Sequence, residues 1–246
     1  MRTMILKILY KIYSFCIALP IFVVATIVTA TVIMIATLFG DKDNTDYFMS
    51  KWWSRLTCRI FLLGIHVEGR ELLDRHQSYV FLANHQGYFD IFLIYGYLGH
   101  NFKWMMKEYL YKIPFVGIAC RASGQIFVDD TRAGITKAVE QSRKTLQRGM
   151  SMVIFPEGTR SYDGSMGEFK RGAFMLSNEI GLPVVPMTIN GSFKVFNRKA
   201  RSVSRGTLSL QIHEPISPDY YKSKPTKVFM QEVWDIINRD LEPAIV

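Results

Sequence analysis

The chemistry most easily read from this chain sits in one short turn, Asn84-His85-Gln86-Gly87-Tyr88-Phe89-Asp90, which follows the apolar run Tyr79 to Ala83. A carboxylate that accepts a hydrogen bond from one imidazole nitrogen fixes the tautomer and makes the other nitrogen more basic. Such a pair suits a general base acting on a hydroxyl. In a continuous helix, residues five apart point about 140° away from each other, so His85 and Asp90 meet only across irregular backbone. Gly87 permits that irregularity. Tyr79 to Ala83 reads as a short buried strand, and Phe89 to Leu98 as a helix.

A second polar group of the same kind is Phe155-Pro156-Glu157-Gly158-Thr159-Arg160, directly after an apolar strand-like run from Met152. Its place at a strand's carboxyl end is where open α/β sheets put their sites. Pro156 and Gly158 shape an unusual turn, Glu157 and Thr159 offer polar groups, and Arg160 offers a planar fork suited to phosphate. Arg160 equally suits a structural pair with Glu157 or Asp163, and the stretch by itself leaves both readings open.

The elements that must position these groups follow from periodicity. After Gly64 the signals are those of an α/β domain, with strands expected at Ile65 to Glu68, Tyr79 to Ala83, Lys103 to Met106, Gln125 to Val128, Met152 to Phe155, Val184 to Ile189 and Thr207 to His213. Ile135, Val139, Ser142 and Leu146 keep a helical period that Gly149 would end. Phe229, Val233, Ile237 and Leu241 mark a last helix with Pro225 near its start. No linker divides 64–246, so the expected organisation is an N-terminal segment, 1–63, and one α/β domain over 64–246.

The N-terminal segment is different in kind. Residues 15–39 hold no charge over twenty-five positions, a helix of about 37 Å against a hydrocarbon core of about 30 Å. The run is longer than the apolar core of a signal peptide, and Pro20 is placed to kink it. Arg2, Lys7 and Lys11 precede it, and Lys51, Arg55 and Arg59 follow it, so the positive-inside rule gives a tie. A tie agrees with a helix that enters and returns on one face, with a single full crossing as the competing topology. Lys51, Arg55 and Arg59 are four apart and form one stripe on a helix expected over 47–63. Trp52, Trp53, Leu56, Ile60 and Phe61 make the rest of that helix an interfacial one; an ordinary surface helix packed on the core is the other reading.

Bulk properties narrow the classes further. The chain has 246 residues, 49% of them hydrophobic, and a net charge of +9, with a mean hydropathy of +0.10. Anionic partners are favoured, lipid and nucleic acid among them. The basic residues are spread along the chain rather than gathered with interleaved aromatics, which argues against nucleic acid. Cys16, Cys58 and Cys120 are odd in number and far apart, so neither a disulfide framework nor a zinc site is expected. His66, His76, His100 and His213 are scattered and read as structural.

Taken together, Asn84-His85-x-x-x-x-Asp90 followed by Phe155-Pro156-Glu157-Gly158-Thr159-Arg160 resembles the glycerolipid acyltransferase family, and within it the bacterial enzymes that act on 1-acylglycerol 3-phosphate. Two weaker motifs have counterparts in the expected order, Gly124-Gln125-Ile126-Phe127-Val128-Asp129 as the second and Val184-Val185-Pro186-Met187 as the fourth. Phe169-Lys170-Arg171-Gly172-Ala173 is similar to the basic segment after the third. The resemblance covers about residues 47–189. There is a departure: the family usually has Arg after the aspartate of the second motif, where this chain has Asp130, with Arg132 two positions on. That moves the expected phosphate contacts toward Lys107, Arg160, Lys170 and Arg171.

The resemblance implies an α/β fold with a mixed, largely parallel sheet flanked by helices. It also implies acyl transfer from a thioester of acyl carrier protein or coenzyme A to the sn-2 hydroxyl of lysophosphatidic acid, giving phosphatidic acid. His85 would take the hydroxyl proton, oriented by Asp90, with no acyl-enzyme, no metal and no cofactor beyond the thioester co-substrate. Asn84, Lys107, Glu157, Gly158, Thr159, Arg160, Lys170 and Arg171 are the expected substrate-binding residues. The expected location is the cell inner membrane, with the catalytic domain on the cytoplasmic face and a membrane lipid as acceptor. The same residues are compatible with another lysolipid acceptor, such as lyso-ornithine lipid, and with a membrane-bound lipid or thioester hydrolase.

Overall fold

The structure of the protein is a computed structural model that describes residues 2–40, 42–129, 131–146, 150–197 and 202–243. Gly149, the expected helix stop, and Asp130 lie outside these residues. Seven strands form one sheet: β1 (Gly64–Glu68), β2 (Val80–Ala83), β3 (Phe102–Lys107), β4 (Ile126–Val128), β5 (Ser151–Ile154), β6 (Val184–Asn190) and, after a small hairpin of β7 (Phe196–Asn197) and β8 (Ser202–Val203), β9 (Thr207–Ile212). Their order is β1-β9-β6-β2-β5-β3-β4. The five strands from β6 to β4 are mutually parallel. β9 runs antiparallel to β6, and β1 parallel to β9, so the sheet is mixed and largely parallel, as expected.

Helices cover both faces, which is why the central strands read as unbroken apolar runs. Val80 and Leu82 of β2 share a core with Met152 and Ile154 and with Phe174, Phe229 and Val233, of which Phe174 belongs to α7 (Arg171–Ile180) and the last two to α8 (Thr226–Arg239). The alternate residues Phe81 and Ala83 share a second core with Val153, Val185 and Met187 and with Phe92, Leu93, Cys58 and Phe61. Phe92 and Leu93 belong to α4 (Phe89–Tyr97) and Cys58 to α3 (Lys42–Ile60). The period of two along β2 thus assigns its side chains to the two layers. The helix expected around Ile135 to Leu146 is α6 (Arg132–Leu146), against the first of these cores.

The N-terminal helices begin earlier than the charge-free run. α1 (Arg2–Tyr13) passes through a π-helical turn, Ser14–Ala18, into α2 (Leu19–Leu38). Pro20 explains the turn: it has no N–H to donate four residues back, and the Leu19 N–H bonds the Ser14 carbonyl instead. Met4–Leu38 is an apolar helix of 35 residues, long enough at about 52 Å to cross a bilayer. α3 returns beside it. Trp53 donates from Nε1 to Thr26 at 2.9 Å and its ring packs against those of Phe22 and Phe92. Because Cys58, Phe61 and Leu63 belong to the core of the sheet, packing crosses the division expected at residue 63. α3 is part of the α/β body.

One buried charge cluster joins α3 to the sheet. Lys103 of β3 is 1% exposed and places Nζ 2.9 Å from Asp46 Oδ2 and 3.2 Å from Asp43 Oδ1. Burial pushes the Asp46 carboxyl above its ordinary range, and Lys103 opposes that.

Candidate active site

β2, β5 and β3 are neighbours in the parallel part of the sheet, so the turns after Ala83 and Ile154 and the end residue Lys107 gather at one carboxyl edge. This is the position at which open α/β sheets bind their ligands. The backbone from Asn84 to Gly87 is irregular, and α4 starts only at Phe89. That irregularity brings the pair together: His85 Nδ1 and Asp90 Oδ2 are 2.7 Å apart.

The same carboxylate oxygen accepts the Gly87 N–H at 2.8 Å, so Asp90 closes the turn that presents its partner. Gly87 must be small, since a Cβ there would sit 2.7 Å from the Ser192 hydroxyl. The Asp90 side chain is fully buried, whereas that of His85 keeps 14% of its surface exposed. With Nδ1–H given to Asp90, Nε2 keeps its lone pair as a proton acceptor.

Glu157 is a brace behind this pair. Oε1 accepts the His85 backbone N–H at 2.7 Å and Oε2 accepts the Gly167 N–H at 2.8 Å. Burial raises its carboxyl to about 7, a rise that the nearby Asp90 supports and the two N–H donors oppose. The Ser161 N–H bonds the His85 carbonyl at 2.7 Å, and the Lys170 N–H bonds the Pro156 carbonyl at 2.8 Å. Both turns are therefore stitched together through main chain. The Phe155 ring lies flat on the His85 ring, with centroids 3.9 Å apart and planes 6° apart.

Gly158 has φ +69°, and a Cβ there would meet the Lys170 side chain at 3.1 Å. A side chain at this position would be strained and would displace the lysine. Arg160 lies over the Tyr88 ring, 3.7 Å from its centroid. Neither Glu157 nor Asp163 spends its oxygens on Arg160: those of Glu157 take main-chain N–H groups, and Asp163 Oδ1 binds Ser165. The structural pairing left open for this arginine is not formed, and its guanidinium is held by the aromatic face of Tyr88. Tyr88, Arg160, Gln86, Ser161, Phe193 and Phe196 line a small cleft there.

The chain as a whole is similar to known proteins. The family described as Acyltransferase matches residues 64–190, more than half of the chain. The chain belongs to the acyltransferase family. A curated family relative, the 1-acyl-sn-glycerol-3-phosphate acyltransferase of Helicobacter pylori, is 32% identical over 79% of this chain and 81% of that protein. The chloroplastic 1-acyl-sn-glycerol-3-phosphate acyltransferase LPAT1 of Arabidopsis thaliana is 30% identical over 79% of this chain. The chain spans 58% of that plant protein and 63% of its Chlamydomonas reinhardtii counterpart. Among solved structures, the 1-acyl-sn-glycerophosphate acyltransferase PlsC of Thermotoga maritima superposes with a TM-score of 0.80 at 25% identity, covering 98% of this chain and 96% of that one.

Within this acyltransferase-family chain the expected site residues divide. His85, Asp90, Glu157, Gly158, Arg160 and Lys170 converge on the two stitched turns, while Thr159 and Arg171 are exposed and Lys107 ends β3. Asn84 is a correction. It is buried, its Nδ2 donates to the Ile189 carbonyl at 2.9 Å, and its Oδ1 accepts the Ile189 N–H at 2.7 Å. It ties the end of β2 to β6, so its amide serves main chain. Glu157 likewise accepts one hydrogen bond at each oxygen from main chain, from the His85 and Gly167 N–H groups. Phe155 and Tyr88 were not among the expected residues. The signal for each was an aromatic residue inside a motif otherwise made of polar and small residues.

Proposed function

We propose that the protein transfers a fatty acyl group from a thioester of acyl carrier protein or coenzyme A to the sn-2 hydroxyl of lysophosphatidic acid. The observation that carries this reading is the 2.7 Å His85–Asp90 contact at the carboxyl edge of the sheet. His85 Nε2 takes the hydroxyl proton as that oxygen attacks the thioester carbon. The carbonyl becomes a tetrahedral oxyanion, the C–S bond breaks, and the thiolate leaves with a proton returned from the imidazolium. Binding both substrates at one edge makes the attack effectively intramolecular, so no acyl-enzyme is needed. Arg160, with Lys170 beside it across Gly158, holds the acceptor phosphate.

The acceptor is an amphiphile, and the surface near the site suits one. α1 and α2 expose Leu6, Ile8, Leu9, Val24 and Leu38, and Phe39 follows them, among other large apolar side chains. A soluble monomer does not carry an apolar surface of that extent. The segment after β3 adds Tyr109, Tyr111, Ile113, Phe115 and Ile118, all exposed. α5 (Val116–Ala122) in that segment packs through Ala119 on Ala30 and Ile33 of α2, so the two apolar surfaces join. We infer that this face lies in the inner membrane from the cytoplasmic side and that α3 rests at the interface with its basic stripe.

Mass-spectrometric product analysis of the purified protein given lysophosphatidic acid and an acyl thioester tests the reading. Phosphatidic acid from the wild type and none above background from His85→Ala is the expected result. Free fatty acid without a new diacyl lipid would replace the transferase with a hydrolase. Equal activity on a lysolipid without a bare phosphate would remove Arg160 from its role.

A further inference from the structure

The second motif, Gly124 to Asp129, is left unexplained by the substrate contacts above, and its glutamine has a different task. Gln125 is 1% exposed. Its Oε1 accepts the Trp104 backbone N–H at 2.7 Å, and its Nε2 donates to Asp46 Oδ2 at 2.9 Å and to the Ser123 hydroxyl at 3.3 Å. The ladder between β3 and β4 begins one residue later, at Met105 and Ile126. On its other side Trp104 is paired with Val153 of β5. The Gln125 amide therefore stands in for a missing strand residue and completes the bonding of β3 at Trp104. That amide is itself held by Asp46, whose second donor is Lys103.

From Trp104 the contacts continue through aromatic rings. Its indole, 4% exposed, lies on the Phe155 ring with centroids 5.2 Å apart and planes 25° apart, and Phe155 lies on His85 at 3.9 Å and 6°. A flat ring against one face of an imidazole blocks rotation out of the plane in which Nδ1 meets Asp90.

We propose that Gln125, Trp104 and Phe155 are positioning residues for His85, a track that starts at Asp46 on α3 and ends on the ring of the base. Gln125 thus acts on the reaction through the attitude of His85. This rests on the reading of His85 as general base.

The test is steady-state kinetics on the full chain with lysophosphatidic acid and an acyl thioester, with His85→Ala as reference. Phe155→Leu, which keeps an apolar side chain but removes the flat face, lowers kcat by about tenfold or more, as misorientation of a reacting group does, with both KM values within about twofold. Phe155→Tyr restores most of the loss. Gln125→Met lowers kcat in the same way, and the double variant Gln125→Met/Phe155→Leu is no slower than Phe155→Leu alone, because both changes interrupt one track.

A kcat for Phe155→Leu equal to wild type, or a loss confined to KM, overturns the proposal. So does a double variant whose losses multiply. If Gln125→Met does not fold, the Phe155→Leu and Phe155→Tyr pair decides alone. Near-normal turnover by His85→Ala would instead remove the base, a failure distinct from that of the track.

Discussion

Replacing Glu157 by Gln changes how stability depends on pH, and the size of the change follows from the site. In the folded protein burial holds this carboxyl at about 7, against an ordinary 4.5. Between those values the folded chain keeps a proton that the unfolded chain has released. Stability therefore falls as pH rises from about 4.5 to about 7 and is level on either side. At about 1.4 kcal/mol per pH unit this amounts to about 3 kcal/mol, or about 6 to 12 °C in Tm for a chain of this length. Other groups titrate as well. Asp46, also raised by burial, acts with the same sign, while His100 and His213, both lowered chiefly by burial, act with the opposite sign.

The quantity to measure is accordingly the difference between wild type and Glu157→Gln, from thermal melts in a single detergent at half-unit steps from pH 4 to pH 8. The amide of the variant leaves one of the two main-chain N–H donors facing an NH2 group, a fixed penalty of about 1–3 kcal/mol. Across the series the variant gains about 3 kcal/mol relative to wild type. A difference that stays constant with pH would refute the reasoning, because it would mean that Glu157 titrates alike in both states.

Asp90→Asn keeps the turn's size but loses the charge that steadies the imidazolium; kcat falls by about 10²–10⁴ with KM for the lysolipid little changed, read from initial rates. Arg160→Ala raises KM for lysophosphatidic acid by about tenfold or more, one charge-assisted hydrogen bond's worth, while Arg160→Lys recovers only part because an ammonium lacks the planar fork. Lys103→Met leaves Asp46 buried without its counter-ion and destabilises the protein by about 3–5 kcal/mol in denaturant titration. Adding Asp46→Asn recovers most of that loss, and no recovery would mean that the ion pair is not the cause.

Most of the strands were legible because a buried parallel strand is a short apolar run between turn residues. Each of the seven expected runs became a strand within about two residues of its bounds. Their order was not legible: β9 enters between β1 and β6 through contacts that no local pattern encodes. α1 was missed because Lys7 and Lys11 interrupt the apolar run that announces α2, and the hairpin of β7 and β8 because two-residue strands have no period. At the site, His85, Asp90, Arg160 and the special turn at Gly158 could be read from residue type and spacing. Asn84 and Glu157 could not, since a polar side chain beside a motif looks the same whether it meets a ligand or a main-chain donor. Gln125 was hidden more deeply, because its partners Trp104 and Asp46 are far from it in sequence.

The pairing of β1 with β9 sets an order in time. β1 precedes the other six strands of the sheet in sequence, and among the described residues the only strand it bonds is β9, which follows the other six. Until Thr207–Ile212 has been synthesised, β1 has no partner and β6 has one open side, while β2, β3, β4 and β5 can already join. During that interval the early strand is a template for wrong pairing with any other extended segment. α2 and α3 come out just before it. A ribosome that stops short of residue 207 therefore releases a chain that lacks β9 and the helix Thr226–Arg239, with its central strands made, β1 unpaired and one side of β6 open, a product suited to recognition by quality-control proteases.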